Sequence, residues 1–277
     1  MTIEQRGDRV AFRISGPDAT HLLHDVLTPP VVAEDGPARW FALLAPQGKV
    51  LAEGLIGWAD GAHWLDVHES VAENFLKRMK MYRLRATLEI EMLAESHAVG
   101  WSPEAENPGI VHRDGRADGL GYRVIAPRSG AEGWGTGNGQ ARARIAAGIA
   151  EMGPDFDGDE VFPHDLGMDH LGGVDFRKGC YVGQEVVSRM QHRGTARRRP
   201  VIVSGLAAAA REDAVTIGGK SVGTLGTVAD GSAVAIMRID KVSDPDAASV
   251  GGEPVSLALP LWARYGFAQT GSDSGNE

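Results

Sequence analysis

The order of apolar and polar residues over the first 95 positions predicts two helices among antiparallel strands. Apolar residues recur at helical spacing from Ala19 to Leu27 and again after Ser70. Apolar runs or alternations predict strands at 9–14, 40–44, 50–58, 63–67 and 87–92. Pro17 suits the first turn of the first helix, and Ser70 with Glu73 forms a capping-box pattern that opens the second. Residues 1–95 are therefore predicted to form one α+β module.

A second α+β module is predicted for residues 96–196, and a small β-domain for residues 197–267. The second module has a strand at 121–126, a glycine-rich loop at 129–139 with Asn138 as a helix cap, and a helix starting near Val182. Short β-segments at 201–203, 215–217, 221–225, 233–237 and 254–259 are divided by glycine turns, which is typical of a small barrel or sandwich. Residues 268–277 are expected to be a disordered tail.

Composition narrows the class of protein. A chain of 277 residues suggests about two domains at roughly 150 residues each, and 43% hydrophobic with 23% charged residues is typical of a globular protein. No run approaches the ~20 apolar residues of a membrane span, so no membrane partner is expected. The start of the chain lacks secretory and transit-peptide features, and one cysteine excludes an internal disulfide framework. These observations predict a cytoplasmic location.

Charge is unevenly distributed along this acidic chain. The net charge is −9, yet residues 77–85 carry five cations and no acid, and residues 177–199 carry a net charge of +6. Two basic islands suit an anionic ligand better than a long polyanion, because their attraction is local. Solvated surface faces are the alternative explanation. His21 and His24 lack further ligands at suitable spacing, so no metal site is predicted.

Residues 174–195 contain the candidate chemistry. The single cysteine, Cys180, follows Lys178 and precedes the predicted helix, so an ammonium group and a helix amino terminus would both favour its thiolate. Gly179 and Gly183 permit close approach of a ligand to the backbone. The spacing of Glu185 and Arg189 also fits a surface ion pair. A lone cysteine is otherwise a small buried hydrophobic residue.

The same segment resembles a known family. The residues that carry the resemblance are Lys178, Gly179, Cys180, Tyr181, Gly183, Gln184 and Glu185, followed by Arg189 and Arg193. They are similar to the K-G-C-[YF]-x-G-Q-E motif of the YgfZ-type folate-binding proteins, which serve iron–sulfur cluster assembly. Weaker similarity extends over most of residues 5–265 and includes the segments 82–85, 114–116 and 162–178.

The resemblance implies a fold, a ligand and partners. The fold is that of the glycine cleavage T-protein: an α+β body of mostly antiparallel sheets around a central hole, with a carboxyl-terminal β-barrel. The ligand is tetrahydrofolate or another reduced folate. The implied function is assembly or repair of proteins with four-iron, four-sulfur clusters, together with support of tRNA methylthiolation. Cys180 and Lys178 are then the chemically active residues, and the other motif residues bind the ligand or extend the positive rim.

The sequence departs from the true aminomethyltransferases at their catalytic positions. Ala52 stands at the first of two adjacent acidic positions, followed by Glu53, and Gly121-Tyr122-Arg123 replaces a segment with a pterin-contacting glutamate. A folate-dependent one-carbon transferase is therefore an alternative function rather than the expected one. A second alternative is a protein-binding or tRNA-binding adaptor without chemistry, supported directly only by the basic run 197–199.

Overall fold

The computed structural model describes residues 3–194 and 196–268. The elements up to residue 92 are β1 (Glu4–Gln5), β2 (Arg9–Ser15), α1 (Ala19–Val26), β3 (Arg39–Leu44), β4 (Val50–Ala59), β5 (Ala62–His68), α2 (Glu69–Arg83) and β6 (Glu89–Met92). Strands β2 to β6 form one antiparallel sheet in the order β3-β4-β5-β2-β6. The predicted strands and helices of this segment are therefore confirmed, with boundaries shifted by one or two residues.

Helices α1 and α2 cover one face of the first sheet. Leu23 of α1 and Phe75 of α2 are buried in one core cluster with Phe12 and Phe41 of the sheet. The start of α2 differs from the predicted capping box. The side chain of His68, just before the helix, accepts a hydrogen bond from the Ser70 backbone N–H (3.3 Å) and thereby takes the capping position.

The second sheet of the body includes a strand from the beginning of the chain. The elements here are β7 (His97–Ser102), β8 (Ile110–Arg113), β9 (Tyr122–Pro127), α3 (Gly139–Ala146) and α4 (Gln184–Arg193). The sheet order is β1-β7-β9-β8, with Glu4 opposite Trp101. The first residues therefore belong to the second sheet, which departs from the predicted boundary at residue 95, because strand pairing joins segments that are distant in sequence.

Helix α3 is capped from a distance rather than by its neighbour. Asn138 makes no side-chain capping bond, although it occupies the predicted position. The carboxylate of Glu4 instead accepts hydrogen bonds from the backbone N–H groups of Gly139 (2.9 Å) and Gln140 (3.1 Å). A negative charge at a helix amino terminus is favoured by the helix dipole.

The carboxyl-terminal domain is a strongly curved antiparallel sheet. It contains β10 (Arg198–Ser204), β11 (Ala214–Ile217), β12 (Lys220–Ala229), β13 (Ser232–Arg238), β14 (Ala248–Val250), β15 (Glu253–Pro254) and β16 (Ser256–Ala258). The strand order is β15-β14-β11-β12-β13-β10-β16. Asp230 and Gly231 both have positive φ (48° and 70°) in the tight turn between β12 and β13, as a type I′ hairpin requires. The predicted barrel segments are confirmed, and the predicted tail beyond Ala268 lies outside the described residues.

Candidate functional site

Cys180 lies on an exposed loop that leads into α4. Its side chain is a free, exposed thiol. Helix α4 begins at Gln184, two residues later than predicted, and Gly183 caps it with a left-handed backbone conformation. The accessibility expected for this thiol is confirmed, whereas the alternative of a buried small hydrophobic residue is not.

Lys178 fastens this loop to the end of α1. Its Nζ donates hydrogen bonds to the carbonyl oxygens of His24, Leu27 and Pro29, the last at 3.1 Å. These carbonyls lie in the last turn of α1 and just beyond it, where they lack helical partners. Burial lowers the pKa of Lys178 to about 8. The described contacts of this ammonium group are thus structural, and its expected action on the thiol stays a prediction.

Tyr181 anchors the loop from the other side of the cysteine. Its ring is buried in the core cluster that also contains Val187 of α4 and Leu44 of β3. Lys178 Nζ lies 5.1 Å from the centre of this ring, within the range of a cation–π contact. Burial raises the pKa of Tyr181 to about 12. The exposed thiol is therefore held between two fixed side chains.

The two motif glycines have different roles. Gly183 has a φ of 82°, and a Cβ atom there would lie 2.6 Å from the carbonyl oxygen of Ala45 and 3.1 Å from the Cα of Gly48. Gly183 therefore lets the start of α4 lie directly on the turn between β3 and β4. A Cβ atom at Gly179 would meet nothing within 4 Å. Gly179 accordingly leaves open space beside Cys180.

The polar motif residues on α4 lie further from the thiol. Gln184 donates its backbone N–H to the Tyr181 carbonyl oxygen (3.2 Å). Glu185 and Arg189 form the predicted i, i+4 ion pair on the exposed face. Arg193 is exposed at the end of α4. The structure thus brings the side chains of Lys178 and Tyr181, which flank Cys180, into contact, whereas Arg189 pairs with Glu185.

No group of three or more His, Cys, Asp or Glu residues in the described part of the chain could hold a metal ion. Within that part, no helix is long and apolar enough to cross a membrane.

The basic run 197–199 does not form a continuous cationic surface. Arg197 is exposed, but Arg199 is buried and donates to both carboxylate oxygens of Asp169 (2.7 and 3.0 Å). A third bond joins Arg199 to the carbonyl oxygen of His164 (2.7 Å). This geometry weakens the only direct support for a tRNA-binding adaptor.

The sequence analysis missed a buried charge network between the two sheets of the body. Its members are Arg6, Arg9, Glu53, Asp66, Asp114, Arg116, Arg123, Arg144, Glu151 and Asp155. We call this set the junction network. Glu151 lies at its centre, 2.8 Å from Arg6 and 3.3 Å from Arg123. Burial alone would raise the pKa of Glu151, but the surrounding arginines hold it well below its usual range.

The junction network is not fully satisfied in its hydrogen bonds. Several of its buried polar atoms make no hydrogen bond in the described structure: Arg6 Nη1, Asp66 Oδ1, Arg123 Nε and Nη1, and Arg144 Nε. Buried groups of this kind ordinarily find a partner in protein, water or ligand. Asp66 Oδ1 and Arg123 Nε lie 3.4 Å from each other as an ion pair. The remaining Nη1 donors of Arg6 and Arg123 suit an acceptor such as a ring nitrogen or carbonyl oxygen of a pterin. No short-range sequence pattern signals this network.

The architecture is that of the aminomethyltransferase fold. It matches the crystal structure of the glycine cleavage system aminomethyltransferase T from Bartonella henselae with a TM-score of 0.73, over 97% of this chain and 88% of that one. Sequence identity in this comparison is 14%, so the likeness shows the fold alone. The predicted α+β body with a carboxyl-terminal barrel is confirmed.

Sequence comparisons give a more specific relationship. Residues 196–265 match the family of CAF17 carboxyl-terminal beta-barrel domains. The chain is 33% identical over 210 residues to a protein of Pyricularia oryzae named iron–sulfur cluster assembly factor IBA57 homolog, mitochondrial. A relative of the same name from Mycosarcoma maydis is 29% identical over 222 residues. These matches cover 69% and 71% of this chain and 54% and 55% of the relatives, so the chain spans about half their length.

The names of the relatives contradict the predicted cellular location. Their names place them in mitochondria, so the expected cytoplasmic location is wrong. That expectation rested partly on the single cysteine, which indicates a reducing environment without distinguishing one reducing compartment from another. The expected relationship to iron–sulfur cluster assembly factors agrees with the relatives' names. The bacterial YgfZ type stays a prediction.

Proposed function

We propose that this protein is an iron–sulfur cluster assembly factor in which Cys180 makes the contact with the cluster or its carrier. The observation that carries the proposal is the exposed thiol of Cys180 on a loop fixed by Lys178 and Tyr181, in a chain similar to proteins named for this function. The described residues provide no complete metal site. A cluster handled at Cys180 is therefore a substrate that takes its other ligands from a partner or a small thiol.

The test is genetic complementation in the organism that carries the gene. Deletion should lower the activity of four-iron, four-sulfur enzymes such as aconitase, and the wild-type gene should restore it. Cys180→Ala and Cys180→Ser should fail to restore it at equal protein level. Arg177→Gln, which changes an exposed residue of the same loop and keeps the thiol, should restore it. Full rescue by Cys180→Ala would refute the role of the thiol.

We also propose that the α+β body binds a reduced folate at the junction network. Arg6 and Arg123 are the residues expected to meet it, because the Nη1 atom of each is buried without a hydrogen bond. The proposal further rests on the motif resemblance. Calorimetry with tetrahydrofolate should give measurable heat, with affinity falling as salt rises. Oxidised folate and p-aminobenzoyl-glutamate would show whether the reduced pterin is recognised; no heat and no thermal stabilisation at millimolar tetrahydrofolate would remove the proposal.

Support of tRNA methylthiolation is a more specific function that would follow from cluster assembly. The enzymes of that reaction carry such a cluster, so a failure of cluster assembly should reach them. The complementation strains should therefore show fewer methylthio-modified nucleosides by mass spectrometry when Cys180 is replaced. Normal modification in the deletion strain would limit the function to other cluster proteins.

The alternative of a folate-dependent aminomethyltransferase is not favoured by the site. Ala52 is buried in the first-sheet core, and the Glu53 carboxylate is fully buried. Glu53 accepts hydrogen bonds from Trp40 Nε1 (2.6 Å) and the Met152 backbone N–H (3.0 Å). Loss of a positioned acid typically costs roughly 10²–10⁴-fold in rate. We expect no methylene-tetrahydrofolate from an aminomethyl-lipoyl donor, and robust turnover would reverse this conclusion.

A further inference from the structure

The carboxyl-terminal end of α2 presents two large apolar side chains to solvent within one helical turn. Met81 is 57% exposed and Leu84 is 88% exposed. Met81 lies in the last turn of α2, and Leu84 directly follows the helix. Among the described residues, only two other large hydrophobic side chains are exposed, those of Val32 and Leu261. Single exposed apolar residues are ordinary, whereas adjacent ones indicate an interaction surface.

The backbone at Leu84 is unfavourable for this residue type. Leu84 ends α2 with a φ of 47° and a ψ of −106°. A helix end of this kind favours glycine, because a side chain is strained at positive φ. The backbone geometry therefore does not favour leucine at this position. The core does not require leucine either, because the side chain is exposed to water. The residue serves a purpose outside the fold.

Four exposed cations lie close to these apolar side chains in sequence. We define the α2 patch as the exposed residues Lys77, Lys80, Met81, Arg83, Leu84 and Arg85. None of the ion pairs found among the described residues involves a cation of this patch, whereas the arginines of the junction network are all paired. Lys80 and Arg83 partly serve the helix dipole in the last turn of α2. That role does not account for Lys77, Arg85 or the apolar pair.

A recess lies beside the protruding leucine. It has a volume of about 570 Å³ and is lined by residues 15–17 and 83–89. The α2 patch therefore combines an apolar centre, a cationic rim and an adjoining hollow. Protein interfaces have this arrangement of an apolar centre and a polar rim, and complementary charge on the rim guides the partner.

We propose that the α2 patch docks an acidic protein segment that carries an apolar anchor for the recess. The size of the patch distinguishes this partner from a membrane or a nucleic acid. Exposed acids bound it on both sides, with Glu69 and Glu73 at the start of α2 and Glu89 after it. A flat anionic membrane or a long polyanion would extend over these acids on a chain of net charge −9. A short acidic segment anchored in the recess meets the four cations of the patch and a single acid, Glu89, which lines the recess.

Site-specific photo-crosslinking in cells tests this proposal. A photoreactive phenylalanine derivative at position 84 should form a protein adduct, and the same group at the exposed position 261 should not. Mass spectrometry should place the adduct in a peptide rich in Asp and Glu. An adduct with lipid or RNA, a peptide without acidic residues, or no adduct specific to position 84 would overturn the proposal.

Binding of the identified, purified partner then provides the quantitative test. The double variant Lys77→Glu/Lys80→Glu should weaken binding at least about tenfold, and affinity should fall as salt rises. The control Lys220→Glu/Lys241→Glu changes two lysines of the barrel domain and should leave binding unchanged. Melting temperature and Cys180 alkylation should match wild type in both variants, which separates docking from folding and from the thiol chemistry. Salt-independent binding, or equal loss in both double variants, would count against the α2 patch.

Discussion

At the scale of single residues, the proposed chemistry of this protein centres on the only thiol of the chain. Cys180 is exposed beside the open space at Gly179, with the amino terminus of α4 close in sequence. An exposed thiol is open to a reagent from solvent. We therefore expect iodoacetamide to alkylate native Cys180 at least as fast as the denatured chain between pH 7 and 8. Slower reaction of the native protein at every pH would leave the thiol a structural residue.

The contacts of Lys178 predict a pH-dependent stability with a definite sign. Its pKa is lowered by burial from the ordinary 10.5 to about 8. Between these values the unfolded chain retains a proton that the folded chain has released, so this residue makes the free energy of unfolding rise with pH. Lys178→Met should abolish that contribution and leave carbonyl groups at the end of α1 without their donor.

Denaturant unfolding measures the effect of Lys178→Met. We expect a loss of about 1–3 kcal/mol at pH 7, the usual cost of unsatisfied polar groups, and a larger difference from wild type at pH 9.5. Lys77→Met, which removes an exposed lysine, serves as the control and should change the free energy of unfolding by less than about 0.5 kcal/mol. A difference that shrinks with rising pH would contradict the assignment of Lys178.

At the scale of elements, the contact between α4 and the β3–β4 turn depends on Gly183. Gly183→Ala adds a Cβ atom 2.6 Å from the Ala45 carbonyl oxygen at a φ of 82°. We expect a loss of roughly 1–3 kcal/mol in the free energy of unfolding, together with faster alkylation of Cys180 as the loop loosens. Gly179→Ala is the matched control, since its Cβ atom meets nothing within 4 Å. Equal stability of the two variants would show that α4 does not need the close contact.

Local sequence patterns were sufficient to predict some elements but not the caps of the helices. The helical spacing of Ala19, Leu22 and Leu23 predicted α1, because one face of a helix is buried on a sheet whatever the sheet's partners are. The caps of α2 and α3 could not be predicted in this way. Asn138 has the right residue type, yet Glu4, which is 135 positions away, satisfies the helix amino terminus.

At the scale of the whole molecule, the junction network holds the two sheets of the body together. Glu151 pairs with Arg6 and Arg123, which come from the beginning of the chain and from β9. Glu151→Gln removes the central negative charge. Each arginine around it keeps one other carboxylate, but the five buried arginines of the network then face only four network carboxylates. We expect a loss of about 3–5 kcal/mol, which denaturant unfolding would measure. Glu253→Gln, at an exposed position of the barrel, should be neutral; similar values for both would show that the network contributes little.

The sequence by itself determined the local structure and the location of the chemistry. Periodic apolar residues specified the helices and strands, since burial of one face depends only on spacing. The Lys178–Glu185 motif indicated the loop that presents the exposed thiol. The tertiary structure alone decided the partners of charged side chains: Lys178 with the end of α1, Glu4 with α3, and Glu151 with its arginines. These partners lie far apart in sequence. A buried charge is stable only where the fold places a counterion beside it. No local sequence pattern specifies that placement.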